Sequence, residues 1–204
     1  MAADGALRDA ALRDAALRRV VRLVALLNLG YFGIEFAVAL AIGSVALFAD
    51  SVDFLEDAAV NVLILVAFGW SARRRATLGV GLAGVLLVPA AATLWALWHK
   101  VAHPVAPDPV RLTVTGAGAL AVNLSCALLL ARHRARGGSL TRAAFLSARN
   151  DVLANVAIIG AGLVTAVTRS AWPDVAVGLG IAALNADAAR EVYAAARAER
   201  RAAG

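Results

Sequence analysis

The stretch LVALLNLGYFGIEFAVALAIGSVALFADSVDFLEDAAVNVLILV, residues 23–66, contains two long apolar runs on either side of Gly43 and Ser44 and carries no Lys or Arg. Each run is about as long as the roughly 20 residues that an α-helix needs to cross the hydrocarbon core of a bilayer. A Gly-Ser pair between two such runs is typical of a tight turn. The stretch therefore predicts an antiparallel hairpin of two membrane helices.

The rest of the chain has the same apolar character. Of its 204 residues, 61% are hydrophobic, which is well above the roughly 45–50% apolar content of soluble domains. We predict an all-α membrane protein with six transmembrane helices, at Val20–Ile42, Val45–Gly69, Thr77–Trp98, Val110–Ala131, Ala143–Val167 and Trp172–Ala195. This membrane domain, residues 20–195, is preceded by a cytoplasmic N-terminal helix over 1–19 and followed by a short basic tail over 196–204.

The basic residues indicate the orientation of these helices. The net charge is +6, but Lys and Arg lie in short runs between apolar stretches, which is typical of topology signals and not of a nucleic-acid surface. Because cytoplasmic loops carry an excess of Lys and Arg, both termini are predicted in the cytoplasm, in a multi-pass protein of the plasma membrane. The deciding runs are Arg18, Arg19 and Arg22; Arg73, Arg74 and Arg75; Arg132, Arg134, Arg136 and Arg142; and Arg190, Arg197, Arg200 and Arg201. The single cysteine, Cys126, cannot form a disulfide within the chain, and we assign it to helix packing.

Five acidic residues lie inside the first two spans: Glu35, Asp50, Asp53, Glu56 and Asp57. A carboxylate at the membrane centre costs at least about 2.5–3.5 kcal/mol, so it must be protonated, solvated by a cavity or neutralised by a bound cation. Asp53 and Asp57 are four residues apart, which places them on one helix face about one turn apart. This spacing predicts two ligands of one metal cation.

Span five carries a similar polar face. Three of its residues recur at four-residue intervals: Ser147, Asp151 and Asn155. If spans two and five pack together, Asp53, Asp57 and Asp151 offer three carboxylates to one metal ion. Ser147, Asn150 or a water molecule is then available as a fourth ligand.

Several polar positions keep more than one interpretation. A lone Asn or Ser in a membrane helix is commonly an interhelical hydrogen-bonding group instead of a ligand, and this applies to Asn61, Asn155 and Ser147. Glu35 is either a proton carrier or a hydrogen-bonded packing group. Asp50 points to another face than Asp53 and Asp57, and it fits solvation near the outer surface.

Two segments resemble the cation diffusion facilitator family of divalent-metal/proton antiporters with six membrane helices. SVALFADSVDFLED, at Ser44–Asp57, is similar to the second helix of that family, in which His or Asp followed four residues later by Asp binds the metal; Asp53 and Asp57 match these positions. LSARNDVLANVAIIGAGL, from Leu146, is similar to the fifth helix. Asp151 matches the second position of its motif, whereas Ser147 stands where the family has His or Asp. Four more residues resemble polar positions of the family: Asn28, Tyr31, Glu35 and Asn123.

The resemblance implies a transporter that moves a divalent metal ion out of the cell in exchange for protons. It also implies a short member without the family's cytoplasmic ferredoxin-like domain, and it makes a homodimer plausible. No resident cofactor is expected, since the metal is the transported substrate.

The sequence is compatible with more than one metal ion and with more than one function class. All three histidines, His99, His103 and His133, fall in predicted loops. An all-oxygen ligand set suits manganese, magnesium or iron(II), although zinc also binds carboxylates and is a common substrate of the family. The alternatives are an accessory membrane subunit whose acids pair with a partner, and a membrane metalloenzyme, for which the chain lacks a His-Glu-x-x-His motif.

Overall fold

The computed structural model describes residues 2–66, 91–132 and 138–185, which form six helical segments and no strand. These segments are α1 (Ala2–Ile42), α2 (Val45–Val66), α3 (91–102), α4 (Pro109–Ala131), α5 (Gly138–Thr168) and α6 (172–185). The predicted all-helical architecture is confirmed for this part of the chain. Outside the described residues lie His133, the basic tail, parts of predicted spans two, three and six, and the arginines at 73–75, 134, 136 and 190–201.

The connection between α1 and α2 is the tight turn that the Gly-Ser pair predicts. Gly43 has a φ of +63°, in the left-handed region that glycine adopts without steric cost. The Ser44 N–H donates to the Ala39 carbonyl at 3.0 Å and ends α1 in a Schellman pattern. The Ser44 hydroxyl then caps α2 by accepting from the Leu47 N–H at 3.1 Å. The end of the bundle that contains this turn is called the Gly43 end below.

A carboxylate from α6 also caps α2. Asp174 is fully buried, and it accepts hydrogen bonds from the Val45 and Ala46 N–H groups at 3.0 and 3.1 Å and from the Ser44 hydroxyl at 2.6 Å. These N–H groups have no partner inside α2, because the first turn of any helix leaves its donors free. The start of α2 is therefore bonded to α6.

Lys100 of α3 completes this junction. Its Nζ lies 3.7 Å from Asp174 Oδ2 and donates to the Gly43 carbonyl oxygen at 2.5 Å. Burial lowers the pKa of Lys100, while the Asp174 carboxylate acts in the opposite direction. Gly178 lets α6 approach closely, since a Cβ there would lie 3.0 Å from the Val45 carbonyl carbon. The junction thus sets the position of α2 along the bundle axis.

Helix α4 begins at a sequence-encoded cap. Asp108 accepts from the Arg111 N–H at 2.8 Å, and Pro109 occupies the first helical position, where a missing N–H has no cost. The preceding connection covers residues 103–108. The prediction of a loop from His99 is wrong at its start, because the prolines that stop the helix begin only at 104. Helical hydrogen bonding continues to the His103 N–H, which donates to the His99 carbonyl at 2.9 Å.

The helices pack as neighbours in a bundle. Helix α1 packs against α2 and α4, α4 packs against α5, and α2 packs against α5. A small residue allows α4 and α5 to approach closely, since a Cβ at Gly116 would lie 2.8 Å from the Ile158 side chain. Cys126 is fully buried in an apolar cluster with Val21 and Leu130, which confirms its assignment to helix packing.

Among the residues that the structure describes, three helical segments are long and apolar enough to cross a membrane: Ala15–Ile42, Pro109–Ala131 and Ser147–Thr168. Large apolar side chains such as Leu26, Leu128 and Leu163 are exposed on their outer faces, whereas the polar side chains described next are buried between helices. This arrangement is the one expected of a protein surrounded by lipid.

Candidate metal centre

Asp57 of α2 meets two residues of α5. It is 8% exposed, and the Ser147 hydroxyl donates to its Oδ1 at 2.9 Å. The Asp151 carboxyl is a close neighbour of Asp57. Because a carboxylate can only accept hydrogen bonds, two of them approach in this way only with a proton or a cation between them. The fold therefore brings Asp57 together with Ser147 and Asp151, which lie 90 or more residues further along the chain.

Asp53 lies one turn nearer the Gly43 end and has a different partner. Its Oδ1 accepts a hydrogen bond from the Asn185 amide, at the end of the described part of α6. Asp53 also lies close enough to Asp151 for strong electrostatic repulsion. Asn185 is not among the predicted site residues, although an amide directly after the apolar run 175–184 is a usable signal.

The three predicted carboxylate ligands are neighbours but do not converge on one point. Among the residues that the structure describes, no three His, Cys, Asp or Glu side chains are close enough together to hold a metal ion. Asp57 and Asp151 are close neighbours, whereas Asp53 accepts a hydrogen bond from Asn185. A rotation of the Asp53 side chain away from Asn185 is needed before all three can share one ion.

Two of the weaker candidates lie away from these carboxylates. Asn150 is exposed, and its Oδ1 accepts from the Arg149 guanidinium at 3.3 Å. Successive helical residues are about 100° apart, so Asn150 leaves the face that carries Asp151. Asn61 is buried one turn beyond Asp57 and donates to the Asp57 carbonyl oxygen at 2.8 Å. Its Oδ1 has no hydrogen-bond partner within the described residues.

A chain of hydrogen bonds connects three helices nearer the Gly43 end. The Asn155 amide of α5 donates to Asp50 Oδ2 at 2.5 Å, and the Asn123 amide of α4 donates to Asn155 Oδ1 at 3.0 Å. All three side chains are buried, and Asp50 is fully so. The interpretation of Asp50 as a solvated residue is therefore wrong, because α1 and α5 cover the face of α2 that carries it. Asn155 and Asn123 join the helices, as expected for amides in a membrane protein.

Glu35 of α1 faces this chain. It is fully buried, and neither of its carboxylate oxygens has a hydrogen-bond partner in the described part of the protein. Its close neighbour is the Asp50 carboxyl, a second acceptor. The described residues thus supply no donor to Glu35, and both interpretations of this residue stay predictions.

A comparison with protein-family models adds an independent observation. The model described as the cation efflux transmembrane domain matches residues 21–197, which include every side chain of the centre. The chain belongs to this family. The resemblance found in the sequence is confirmed, and the alternative of a membrane metalloenzyme is excluded because cation efflux proteins are transporters and not enzymes. A search of curated proteins gave no match.

The acids of this cation efflux domain form two levels along α2. Asp53 and Asp57 lie three and seven residues beyond Asp50, or roughly 4.5 and 10 Å along the helix axis at about 1.5 Å per residue. The level farther from the Gly43 end contains the carboxylates of Asp53, Asp57 and Asp151 and the Ser147 hydroxyl, which are hard oxygen ligands suited to divalent cations. The near level contains the Glu35–Asp50 pair and the two bridging amides.

Proposed function

We propose that this chain exports a divalent metal cation across the plasma membrane in exchange for protons, with Asp53, Asp57 and Asp151 as the metal ligands. Membership of the cation efflux family supports cation transport. The observation that carries the ligand assignment is the hydrogen bond of 2.9 Å from the Ser147 hydroxyl of α5 to the buried Asp57 carboxylate of α2, beside which the Asp151 carboxyl lies. Like charges at this separation in a buried site require a cation or a proton.

The proposed topology has six transmembrane helices, both termini in the cytoplasm and the Gly43 end toward the outside. It rests on the arginine runs of the sequence and on the alternation of helix direction along the chain. On this topology α2 and α5 carry the metal centre within the membrane, where a charged cargo needs oxygen ligands in place of its hydration shell. The proposal also includes a homodimer, and the support for it is the family resemblance.

Metal and protons compete for the same oxygens. A metal ion that binds Asp57 and Asp151 displaces whatever proton they share, and protons that return from the other side weaken the metal site again. Asp53 becomes the third carboxylate ligand when it gives up its hydrogen bond from Asn185 and binds the metal instead. The cost of that exchange limits the affinity, which suits a site that must release its cargo.

The ligand chemistry favours harder divalent ions. The centre holds carboxylate and hydroxyl oxygens, and the histidines that the structure describes, His99 and His103, stack on each other near the Gly43 end with ring centroids 4.9 Å apart. Imidazole favours zinc, whereas oxygen ligands favour manganese or magnesium. We therefore expect transport of manganese or iron(II) to be at least as efficient as transport of zinc.

The test is metal flux into proteoliposomes, measured for Mn, Fe, Zn, Co, Ni, Cd and Mg with and without a pH gradient. Asp57→Asn should abolish the flux because it removes a charged ligand that both Ser147 and Asp151 contact. Asp108→Asn is the matched control, since it makes the same chemical change at an exposed helix cap where Asn serves equally well.

Two outcomes would refute the proposal. One is a folded wild-type protein that transports none of these ions. The other is full transport by Asp57→Asn. Loss of assembly with a second protein in the Asp57→Asn variant, without any transport by the wild type, would instead indicate the accessory-subunit function.

A further inference from the structure

Glu35 and Asp50 form a buried carboxyl pair that the proposed metal centre does not use. Both residues are fully buried, and one comes from α1 and the other from α2. Three of their four carboxyl oxygens, both of Glu35 and Oδ1 of Asp50, have no hydrogen-bond donor among the described residues. A buried carboxylate without a donor or a counter-charge is very costly, so the pair must hold a positive charge.

The surroundings of the pair decide which cation fits. The remaining Asp50 oxygen accepts from Asn155, whose own amide oxygen already accepts from Asn123. The Tyr31 hydroxyl, which is close enough to interact with both carboxyls, donates to the Thr115 carbonyl at 2.6 Å. Three free oxygens are too few to replace the hydration shell of a metal ion, which takes about six oxygen ligands. A proton needs only one oxygen on each carboxyl.

The approach of the two carboxyls points to the same occupant. They are close neighbours in the interface between α1 and α2, although neither can donate a hydrogen bond when ionised. A single proton turns one of them into a donor and makes the contact favourable. Like-charged carboxyls that share a site commonly retain one proton between them for this reason.

We propose that Glu35 and Asp50 share one proton and form a proton-binding site separate from the metal centre, and that this proton is released when metal binds. The proposal rests on the proposed function as a metal/proton exchanger. The proton comes from water and returns to water, and no other bond changes. Nothing in the metal centre itself has to carry this proton.

The charged and titratable groups that face the pair are acids and a phenol. Tyr31 faces it from α1, Asp53 and Asp57 from α2, and Asp151 from α5. The polar groups of α4 and α6 that are bonded to this network are neutral: the Thr115 carbonyl, the Asn123 amide and the Asn185 amide. The Asp174 carboxylate of α6 is bonded instead to the first turn of α2 and to Lys100. No Lys or Arg of the described residues lies within ion-pair distance of either carboxyl. The electrostatic link between the two sites is therefore direct.

This link gives the direction of coupling. The acids of the metal centre repel negative charge on the pair, so the proton stays bound while the centre is empty. A divalent cation at the centre, roughly 4.5–10 Å away along α2, cancels that repulsion and favours release of the proton. Metal binding and proton release are thereby linked without a shared ligand.

The first experiment observes the proton without any metal. Infrared spectra of the metal-free protein at neutral pH should contain the C=O stretch of a protonated carboxyl that is lost in both Glu35→Gln and Asp50→Asn. Asp108→Asn, which alters an exposed acid, should keep this band. If both pair variants retain the full band, the proposal is wrong. A change of the pair's spectrum with Na⁺ concentration at constant pH would also overturn it, in favour of a sodium site.

The second experiment counts protons by calorimetry of metal binding in buffers of different ionisation enthalpy. Glu35→Gln should bind the metal with a Kd within about tenfold of the wild-type value while releasing about one proton fewer per metal. An unchanged proton count would contradict the proposal. A wild-type protein that binds no metal refutes the proposed function, while the infrared result still decides whether the pair holds a proton.

Discussion

Removal of the Asp174 carboxylate should destabilise the fold strongly, because this group holds the first turn of α2. Asp174→Ala leaves the Val45 and Ala46 N–H groups and the Ser44 hydroxyl without their acceptor and leaves Lys100 without its counter-charge. Loss of a helix cap alone costs about 1 kcal/mol, and a buried charge left without its partner costs about 3–5 kcal/mol. Lys100 keeps its bond to a carbonyl, so we expect about 3 kcal/mol in total.

The magnitude can be checked by thermal unfolding in detergent, followed by circular dichroism. A loss of about 3 kcal/mol corresponds to a decrease in Tm of roughly 6–12 °C for a chain of this size. Asp174→Asn should lie between the wild type and Asp174→Ala, since it keeps one acceptor oxygen. Asp108→Ala is the matched control: it removes a cap with one hydrogen bond at the exposed start of α4 and should cost only about 1 kcal/mol.

The order of the melting temperatures of these variants tests whether the buried junction at Asp174 stabilises the fold. If Asp174→Ala unfolds at the same temperature as Asp108→Ala, the buried junction contributes no more than an exposed cap, and the stabilising role assigned to it is wrong. Lys100→Met should be milder than Asp174→Ala, because the carboxylate still accepts from α2, where the positive end of the helix dipole favours its charge.

Three further predictions concern the metal centre and the packing of α6. Ser147→His should shift the metal preference toward zinc, since imidazole favours that ion; unchanged selectivity in the flux assay would remove this position from the ligand set. Asn185→Ala should lower the Kd for the metal by about fivefold in calorimetry, because the metal no longer displaces a hydrogen bond of about 1 kcal/mol from Asp53. A higher Kd would mean that Asn185 is itself a ligand. Gly178→Ala should lower stability by about 1–3 kcal/mol because its Cβ meets the backbone of α2, whereas Gly180→Ala, with open space around it, should not; equal melting temperatures would contradict the close contact.

The features that the sequence predicts are those that one helix contains by itself. The turn at Gly43 and the face shared by Asp53 and Asp57 follow from local backbone preferences and from the helical period, which hold wherever the helix lies. The pairing of α2 with α5 was also predictable, because both helices carry a four-residue polar ladder that is costly to leave in lipid. The same cost of intramembrane charge singles out the acids as candidate functional residues from the sequence alone.

The contacts between helices were decided only by the tertiary structure. The sequence alone did not predict the cap that Asp174 places on α2, the hydrogen bond from Asn185 to Asp53, or the meeting of Glu35 with Asp50. The physical reason is that lipid-facing and protein-facing surfaces of membrane helices are similarly apolar, so the hydrophobic pattern does not define how each helix is rotated or shifted along its neighbours. Polar residues from distant parts of the chain meet only after small residues such as Gly178 and Gly116 have set how closely the helices approach. The sequence by itself thus determined the helices and the kind of chemistry they carry, and the packing decided which oxygens and nitrogens share a site.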